Sequence, residues 1–262
     1  MIRIEFLTQD DPLYILPFFE EFVCSYAGEF DILHVSTSPT MGKRPRSQLL
    51  RELMELYGVT GLIRLVARAG IARAFGSFSK EPNADRYHSL AQLCRAYRIT
   101  HQKIADPNED SYLESVRRRS PDVLISVACP YILKEPLLAV AKLGNINIHH
   151  APLPRYKGMM PTFWQMFHGE KSVGVTVHYM TPKIDEGNIL LQEEHAINPG
   201  ESLDHLIQRS KRHGAHCMAR VLRALQTGAV SPKKTDNSQG SYFTFPTIEQ
   251  IREFRRRGYR AI

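Results

Sequence analysis

The apolar positions fall into two regimes along the chain. In the first half, short strand-like runs alternate with helical stripes: Ile2–Leu7, an amphipathic stretch over Leu13–Tyr26, then Phe30–Val35. A helix over His88–Tyr97 leads into a strand over 98–105. Glu109–Arg119 has helical spacing, and Val123–Ala128 is a continuous apolar run, as a central parallel strand shows when both faces are covered. A helix over Lys134–Lys142 and a strand over Asn145–His149 follow. Strands separated by helices imply right-handed βαβ units, and so an α/β fold with an open, mostly parallel sheet and flanking helices. Ligands of such sheets sit beyond the carboxyl ends of the strands, and His149 falls at such an end.

After Gly158 the rhythm changes. Pro161–Phe167 reads as a helix with proline in its first turn, and Val173–Tyr179 and Ile189–Ala196 read as two strands joined by a loop. Ser202 begins a helix running to Gln226, with Glu201 and Asp204 near its positive end. A polar stretch, the aromatic run Ser241–Pro246 and a basic close at Arg252–Arg260 complete the chain. The organisation expected is a catalytic domain over 1–230 and a C-terminal extension over 231–262.

Residues 41–80 interrupt the alternation. They carry eight Lys/Arg against two Glu, a net of +6, with apolar residues at helical spacing (Leu49, Leu53, Leu56; Leu62, Leu65, Val66, Ala69). A basic helical insertion of one or two amphipathic helices is expected. Its apolar faces pack on the body, or a face lies on a membrane or docks a partner.

Composition adds limits. No run of about 18 apolar residues exists to span a bilayer. The N-terminus, Met1–Leu7, has an acid inside a short apolar run and reads as a strand, not a signal peptide. Cys24, Cys94, Cys129 and Cys217 lack CxxC spacing and sit in apolar-looking contexts, so reduced thiols in a cytoplasmic protein are expected and no metal is. A net charge of +7 and a pI of about 9.3 favour anionic partners without choosing among them.

The chemistry concentrates in Asn147-Ile148-His149-His150-Ala151-Pro152-Leu153-Pro154-Arg155-Tyr156-Lys157-Gly158 and in the later turn Lys183-Ile184-Asp185-Glu186-Gly187. On a strand, residues i and i+2 share a face, so Asn147 and His149 project together while His150 points away as a bystander. An amide N–H and a protonated imidazole can hold the oxyanion of a tetrahedral intermediate, each donor contributing about 3–4 kcal/mol. Asp185 beside His149 would raise its pKa and manage a proton.

The ordered set Asn147-x-His149, Leu153-Pro154-x-Tyr156-x-Gly158, Pro161, Trp164, Gly169, Gly174-x-Thr176 and Asp185-x-Gly187 resembles the signature of the 10-formyltetrahydrofolate-dependent formyltransferases. That family includes glycinamide ribonucleotide, methionyl-tRNA and sugar N-formyltransferases. The resemblance, covering about 121–192, implies the Rossmann-like formyltransferase fold, a 10-formyltetrahydrofolate co-substrate without metal, and Asn147, His149 and Asp185 as catalytic residues. It also implies that Cys129, Tyr131, Ile132 and Leu133 and, on the acidic loop, Ile184 and Gly187 line the folate pocket; Tyr131 is equally a core side chain.

The acceptor is narrowed by differences from the family. Leu7–Pro12 replaces the glycine-rich phosphate loop of the purine enzyme and brings Asp10 and Asp11, which repel phosphate. The stretch after Val230 is shorter than the β-barrel domain of the tRNA enzymes, and no regulatory domain precedes the first strand as in the folate-hydrolysing relatives. The expected reaction is therefore formyl transfer to a primary amine of a small, phosphorylated or nucleotide-linked acceptor, an amino sugar best of all, with no nucleic-acid partner. Hydrolysis of 10-formyltetrahydrofolate, or formylation of another amine, stands as the alternative. Tyr242, Phe243 and Phe245 either stack a base or plug the sheet edge. A homodimer and a peripheral membrane contact through 41–80 stay open.

Overall fold

A computed structural model describes residues 1–11, 13–39 and 46–262, with side chains for all of these except 46–49. Residues 41–45 of the basic insertion, and the side chain of Leu49, thus lie outside the described residues.

The elements in chain order are β1 (Arg3–Gln9), α1 (Leu16–Tyr26), β2 (Asp31–Ser38), α2 (Arg46–Phe75), α3 (Leu90–Ala96), β3 (His101–Lys103), α4 (Asp110–Arg119), β4 (Val123–Val127) and α5 (Glu135–Leu138). There follow β5 (Asn145–His149), β6 (Lys157–Gly158), α6 (Pro161–Phe167), β7 (Ser172–Tyr179), β8 (Ile189–Ala196), α7 (Leu203–Thr227), β9 (Tyr242–Phe243) and α8 (Ile248–Arg256). Seven strands form one sheet in the order β3-β2-β1-β4-β5-β7-β8. It is parallel from β3 to β5, while β7 and β8 run antiparallel, as a hairpin must. The open, mostly parallel sheet with flanking helices matches the expected architecture.

Alternation along the central strands sorts side chains onto two faces. Ile4, Phe6, Ile125, Ile146, Ile148 and Val177 join one buried cluster with Phe18, Phe19 and Phe22 of α1 and Met218 and Leu222 of α7. Leu7 and Leu124 face the other way, packing on Tyr112, Leu113 and Val116 of α4. Asn147 and His149, one step out of phase with Ile146 and Ile148, therefore project on the α4 side. Helix α7 lies close against the opposite face of β5: a Cβ on Gly214 would come within 2.7 Å of the Ile148 side chain.

Two helices differ from their expected lengths, each for a local reason. The stretch expected from Leu13 becomes helical only at Leu16, because Asp11 Oδ1 accepts from the amides of Leu13 (2.8 Å) and Tyr14 (3.3 Å) and holds a turn there. The helix expected over Lys134–Lys142 is the four-residue α5, because Asn145 Nδ2 donates to the carbonyls of Leu137 and Leu138, occupying the acceptors at its carboxyl end.

The basic insertion is helical and breaks at Gly58 (φ +68°, ψ 176°), where glycine supplies a backbone conformation other residues resist. One face packs on the body: Leu56, Tyr57 and Leu65 are buried with Phe163, Ile251 and Phe254, and Arg68 pairs with Asp204 at 3.0 Å. The other face stays apolar and open. Val59, Ile63, Val66 and Phe78 are each 62–65% exposed. The C-terminal extension is part of the same body. Phe254 of α8 stacks on Phe163 at 4.7 Å, and Phe243 stacks on Trp164 at 4.7 Å and on Tyr156 at 5.5 Å. Phe243 is thus an aromatic plug, whereas Tyr242 is exposed.

All four cysteines are free thiols; Cys94 and Cys217 are buried and Cys129 half-buried, but Cys24 is exposed, against the apolar setting its neighbours suggested. Cys24 sits on α1 just beyond the buried stripe that ends at Val23. Among the described residues, no helix is long and apolar enough to cross a membrane.

Candidate active site

β5 ends at the carboxyl edge of the sheet, and His149 is its last residue. The register with β7 sets His178 opposite Asn147 and Thr176 opposite His149. The chain leaving His149 is fixed from several sides. Thr176 Oγ1 donates to Ala151 O at 2.6 Å, and Gln165 Nε2 donates to His150 O at 2.9 Å. Gly174 is required here, since a Cβ would lie 2.3 Å from Pro152 N.

The turn carrying Asp185 closes over this end from the β7–β8 hairpin. A Cβ on Gly187 would lie 1.7 Å from Tyr179 O, so only glycine lets the returning chain pass so close. Asp185 itself has φ +53°, a left-handed conformation that aspartate tolerates better than most residues. The same turn is clamped from two sides: Thr235 Oγ1 of the extension donates to Gly187 O (2.7 Å), and Lys157 of β6 pairs with Glu186 (2.8 Å).

The three polar residues picked out from sequence converge. Asp185 Oδ2 lies 3.5 Å from His149 Nδ1 and accepts from the amide of Gly158 at 3.0 Å; Oδ1 lies 3.6 Å from His178 Nε2. His149 Nε2 lies 2.8 Å from Tyr156 O. A carbonyl only accepts, so Nε2 carries the proton and Nδ1 is the nitrogen turned to the carboxylate. His178 Nδ1 likewise donates to Tyr179 O (2.8 Å), leaving its Nε2 to accept from Asn147 Nδ2 at 3.1 Å. That bond orients the Asn147 amide while using one of its two N–H groups.

The electrostatics correct one expectation. Burial pushes the His149 pKa down, and this outweighs the upward pull of Asp185, so the resting imidazole is neutral, not protonated. Burial works to raise the carboxyl of Asp185, but the charge His149 acquires when it is protonated, the His178 ring and the Gly158 amide together hold it well below the usual carboxylate range. A neutral imidazole with a free lone pair beside an ionised carboxylate is a proton acceptor in waiting.

His150 does point away. It is buried, with Nδ1 2.9 Å from Ser210 Oγ, and packs beside Gly214. The loop after β4 and the turn before Asp185 meet through Met180, which packs in one cluster with Cys129 and Tyr131. Ile132 and Ile184 expose apolar side chains, and Cys129 is half-buried with its thiol pushed up to about 12 by burial. Leu133 is buried against Leu137 and Tyr112, so its side chain is core, and Tyr131 donates its hydroxyl to Ala105 O at 2.6 Å. His178 was not singled out from sequence. Its signal was available: Gly174, Thr176 and His178 alternate on one face of a strand that pairs with Asn147–His149.

Comparison with known proteins identifies the family and the fold. The formyl transferase family model matches residues 79–222, and the chain belongs to that family. Among curated relatives, the methionyl-tRNA formyltransferase of Syntrophus aciditrophicus is 38% identical over 139 residues, which is 53% of this chain and 44% of that protein. The matched region thus spans less than half the length of that relative. An N-formyltransferase from Helicobacter canadensis, solved in complex with folinic acid and dTDP-3-aminofucose, superposes with a TM-score of 0.59 at 18% identity, covering 97% of this chain and 81% of that one. A phosphoribosylglycinamide formyltransferase from Anaplasma phagocytophilum gives 0.60 at 15% identity, covering 93% and 97%. These likenesses establish the formyltransferase fold.

Proposed function

We propose that the protein transfers the formyl group of 10-formyltetrahydrofolate to a primary amine. The observation that carries this reading is the convergence of Asn147 and His149, from strand β5, with Asp185, from the β7–β8 loop, at the carboxyl edge of the sheet. The amine attacks the formyl carbon, and the second N–H of Asn147 donates to the oxygen as it becomes negative. His149 Nδ1 takes the proton lost by the amine, and the imidazolium so formed is stabilised by ionised Asp185. That proton then passes to the departing folate nitrogen. His149 acts first as a base and only afterwards as a charged donor, because burial keeps it neutral at rest.

The exposed apolar side chains of Ile132, on the loop after β4, and Ile184, on the Asp185 turn, suit the flat apolar faces of a folate ring. For the acceptor, the amino-sugar reading rests on the chain's positive charge and on a cleft of about 320 Å³ beside the start of α1, where Arg68, Arg86, Arg212 and His88 outnumber Glu20 and Asp85. Arginines in a concave site suit phosphate oxygens. The sequence similarity to a methionyl-tRNA formyltransferase favours a second reading, in which the amine is that of an aminoacyl-tRNA. Incubation with 10-formyltetrahydrofolate and, separately, nucleotide-linked amino sugars and methionyl-tRNA decides between them. Formate release without any amine would instead indicate a hydrolase.

The open face of α2 belongs to the same reading as a contact with an anionic membrane surface. Residues 59–80 contain four Lys/Arg and no Asp/Glu, so a second copy packed there by two-fold symmetry offers nothing to neutralise Arg64 and Arg73. Anionic headgroups do.

A further inference from the structure

On the far side of the sheet from Asp185, the edge strand β8 and helix α7 bring together three side chains that the reaction does not use. Glu193 and His195 are two apart on the strand, and His213 and Cys217 are four apart on the helix, so each pair shares a face. Potential ligand atoms of Glu193, His213 and Cys217 all lie within 4.8 Å of one another. We infer that Glu193, His213 and Cys217 form a binding site for a divalent transition metal of the zinc class.

The spacing carries the argument. Zinc bonds of about 2.0–2.3 Å in a tetrahedron place nitrogen and oxygen ligands about 3.4 Å apart, and sulfur and oxygen ligands about 3.6 Å apart. The observed separations are 3.2 Å from His213 Nε2 to Glu193 Oε2 and 3.6 Å from Cys217 Sγ to the same oxygen. Two edges of the triangle already have the length of a tetrahedral face, and the third lies within 4.8 Å. Independently, His213 Nε2 is buried and makes no hydrogen bond of acceptable geometry, so a nitrogen that needs a partner is aimed at this point. Glu193 divides its oxygens: Oε1 pairs with Arg220, while Oε2 turns to the histidine and the thiol. The metal can therefore bind without displacing the arginine.

Binding is balanced simply. The Cys217 thiol, which donates to Glu193 Oε2, gives up its proton to solvent and ligates as thiolate. Thiolate and carboxylate then neutralise the two charges of the ion. The His213 and Glu193 side chains are 31% and 28% exposed, so the fourth position is open to water. The ion ties β8 to α7. Cysteine spacing could not reveal this site, because only one cysteine takes part and the oxygen ligand comes from another element.

The test is titration of the full chain, freed of metal by a chelator, with Co²⁺, whose tetrahedral thiolate complexes absorb strongly in the near ultraviolet. One equivalent should develop a thiolate-to-cobalt band that Zn²⁺ abolishes. Cys217→Ser should remove the band, His213→Ala and Glu193→Gln should each weaken binding at least about tenfold, and Cys24→Ser should change nothing. Zinc should raise the Tm of the wild-type protein but not of Cys217→Ser, which separates lost ligation from lost folding. Absence of the band, or a band that survives Cys217→Ser, overturns the inference.

Discussion

Asp185→Asn isolates the charge at the centre of the mechanism. Asparagine keeps an oxygen to accept the Gly158 amide, and it tolerates the left-handed backbone at φ +53°, so the substitution removes charge with little change in shape. The imidazolium that forms when His149 takes the proton of the amine would sit 3.5 Å from the missing carboxylate. Two unit charges at that distance, in an environment of effective dielectric about 20, interact by about 5 kcal/mol. Water and small shifts recover part of this, and a net loss of about 3 kcal/mol corresponds to slightly more than a hundredfold in rate. The assay is kcat/KM for formyl transfer to the best acceptor found by screening, with Tm and folate affinity measured alongside. We expect at least about a hundredfold loss with folate affinity and Tm nearly unchanged. A loss of about tenfold or less, in a folded protein, refutes the role given to the carboxylate.

Other substitutions probe the supports of the site. His149→Ala should lower turnover at least about a hundredfold without unfolding the protein, as circular dichroism and single-turnover kinetics would show. Gly187→Ala forces a Cβ to within 1.7 Å of Tyr179 O, so the Asp185 turn must move; activity should fall far more than Tm does. Phe254→Ala empties a fully buried site and should cost about 3–5 kcal/mol, read as a lowered urea midpoint, if the extension is integral to the fold. Burial depresses His34 and His195 from 6.5 to about 4, so the unfolded chain binds more protons between those values. Stability should therefore fall as pH drops from 6.5 towards 4, and a urea midpoint that rises on acidification contradicts this. Pairing Ile63→Glu with Val66→Glu should abolish sedimentation with phosphatidylglycerol vesicles; if it instead dissociates a dimer, the open face of α2 joins two copies.

Much of this was readable from residue order because the strongest signals are local. The period of two over Asn145–His149 fixes which residues share a face, and the unbroken apolar run at Val123 marks a central strand. Where the reading slipped, a distant or through-space term decided. Asn145 shortened α5 through its side chain, and Asp11 delayed α1. The neutral rest state of His149 was not legible because a neighbouring carboxylate is visible in the sequence whereas deep burial is not. His178 was missed because its role depends on cross-strand register with Asn147. The open face of α2 followed the same logic: helical spacing identifies an apolar stripe but not how much of it the body covers.

The most direct measurement is mass spectrometry of an amine acceptor panel incubated with 10-formyltetrahydrofolate and either wild-type enzyme or Asp185→Asn. At least one acceptor should gain a single formyl group with wild-type enzyme, in step with tetrahydrofolate production, and gain far less with the variant. If every amine stays unmodified while formate accumulates, or if the variant matches the wild type, then the three converging side chains do not perform the transfer ascribed to them.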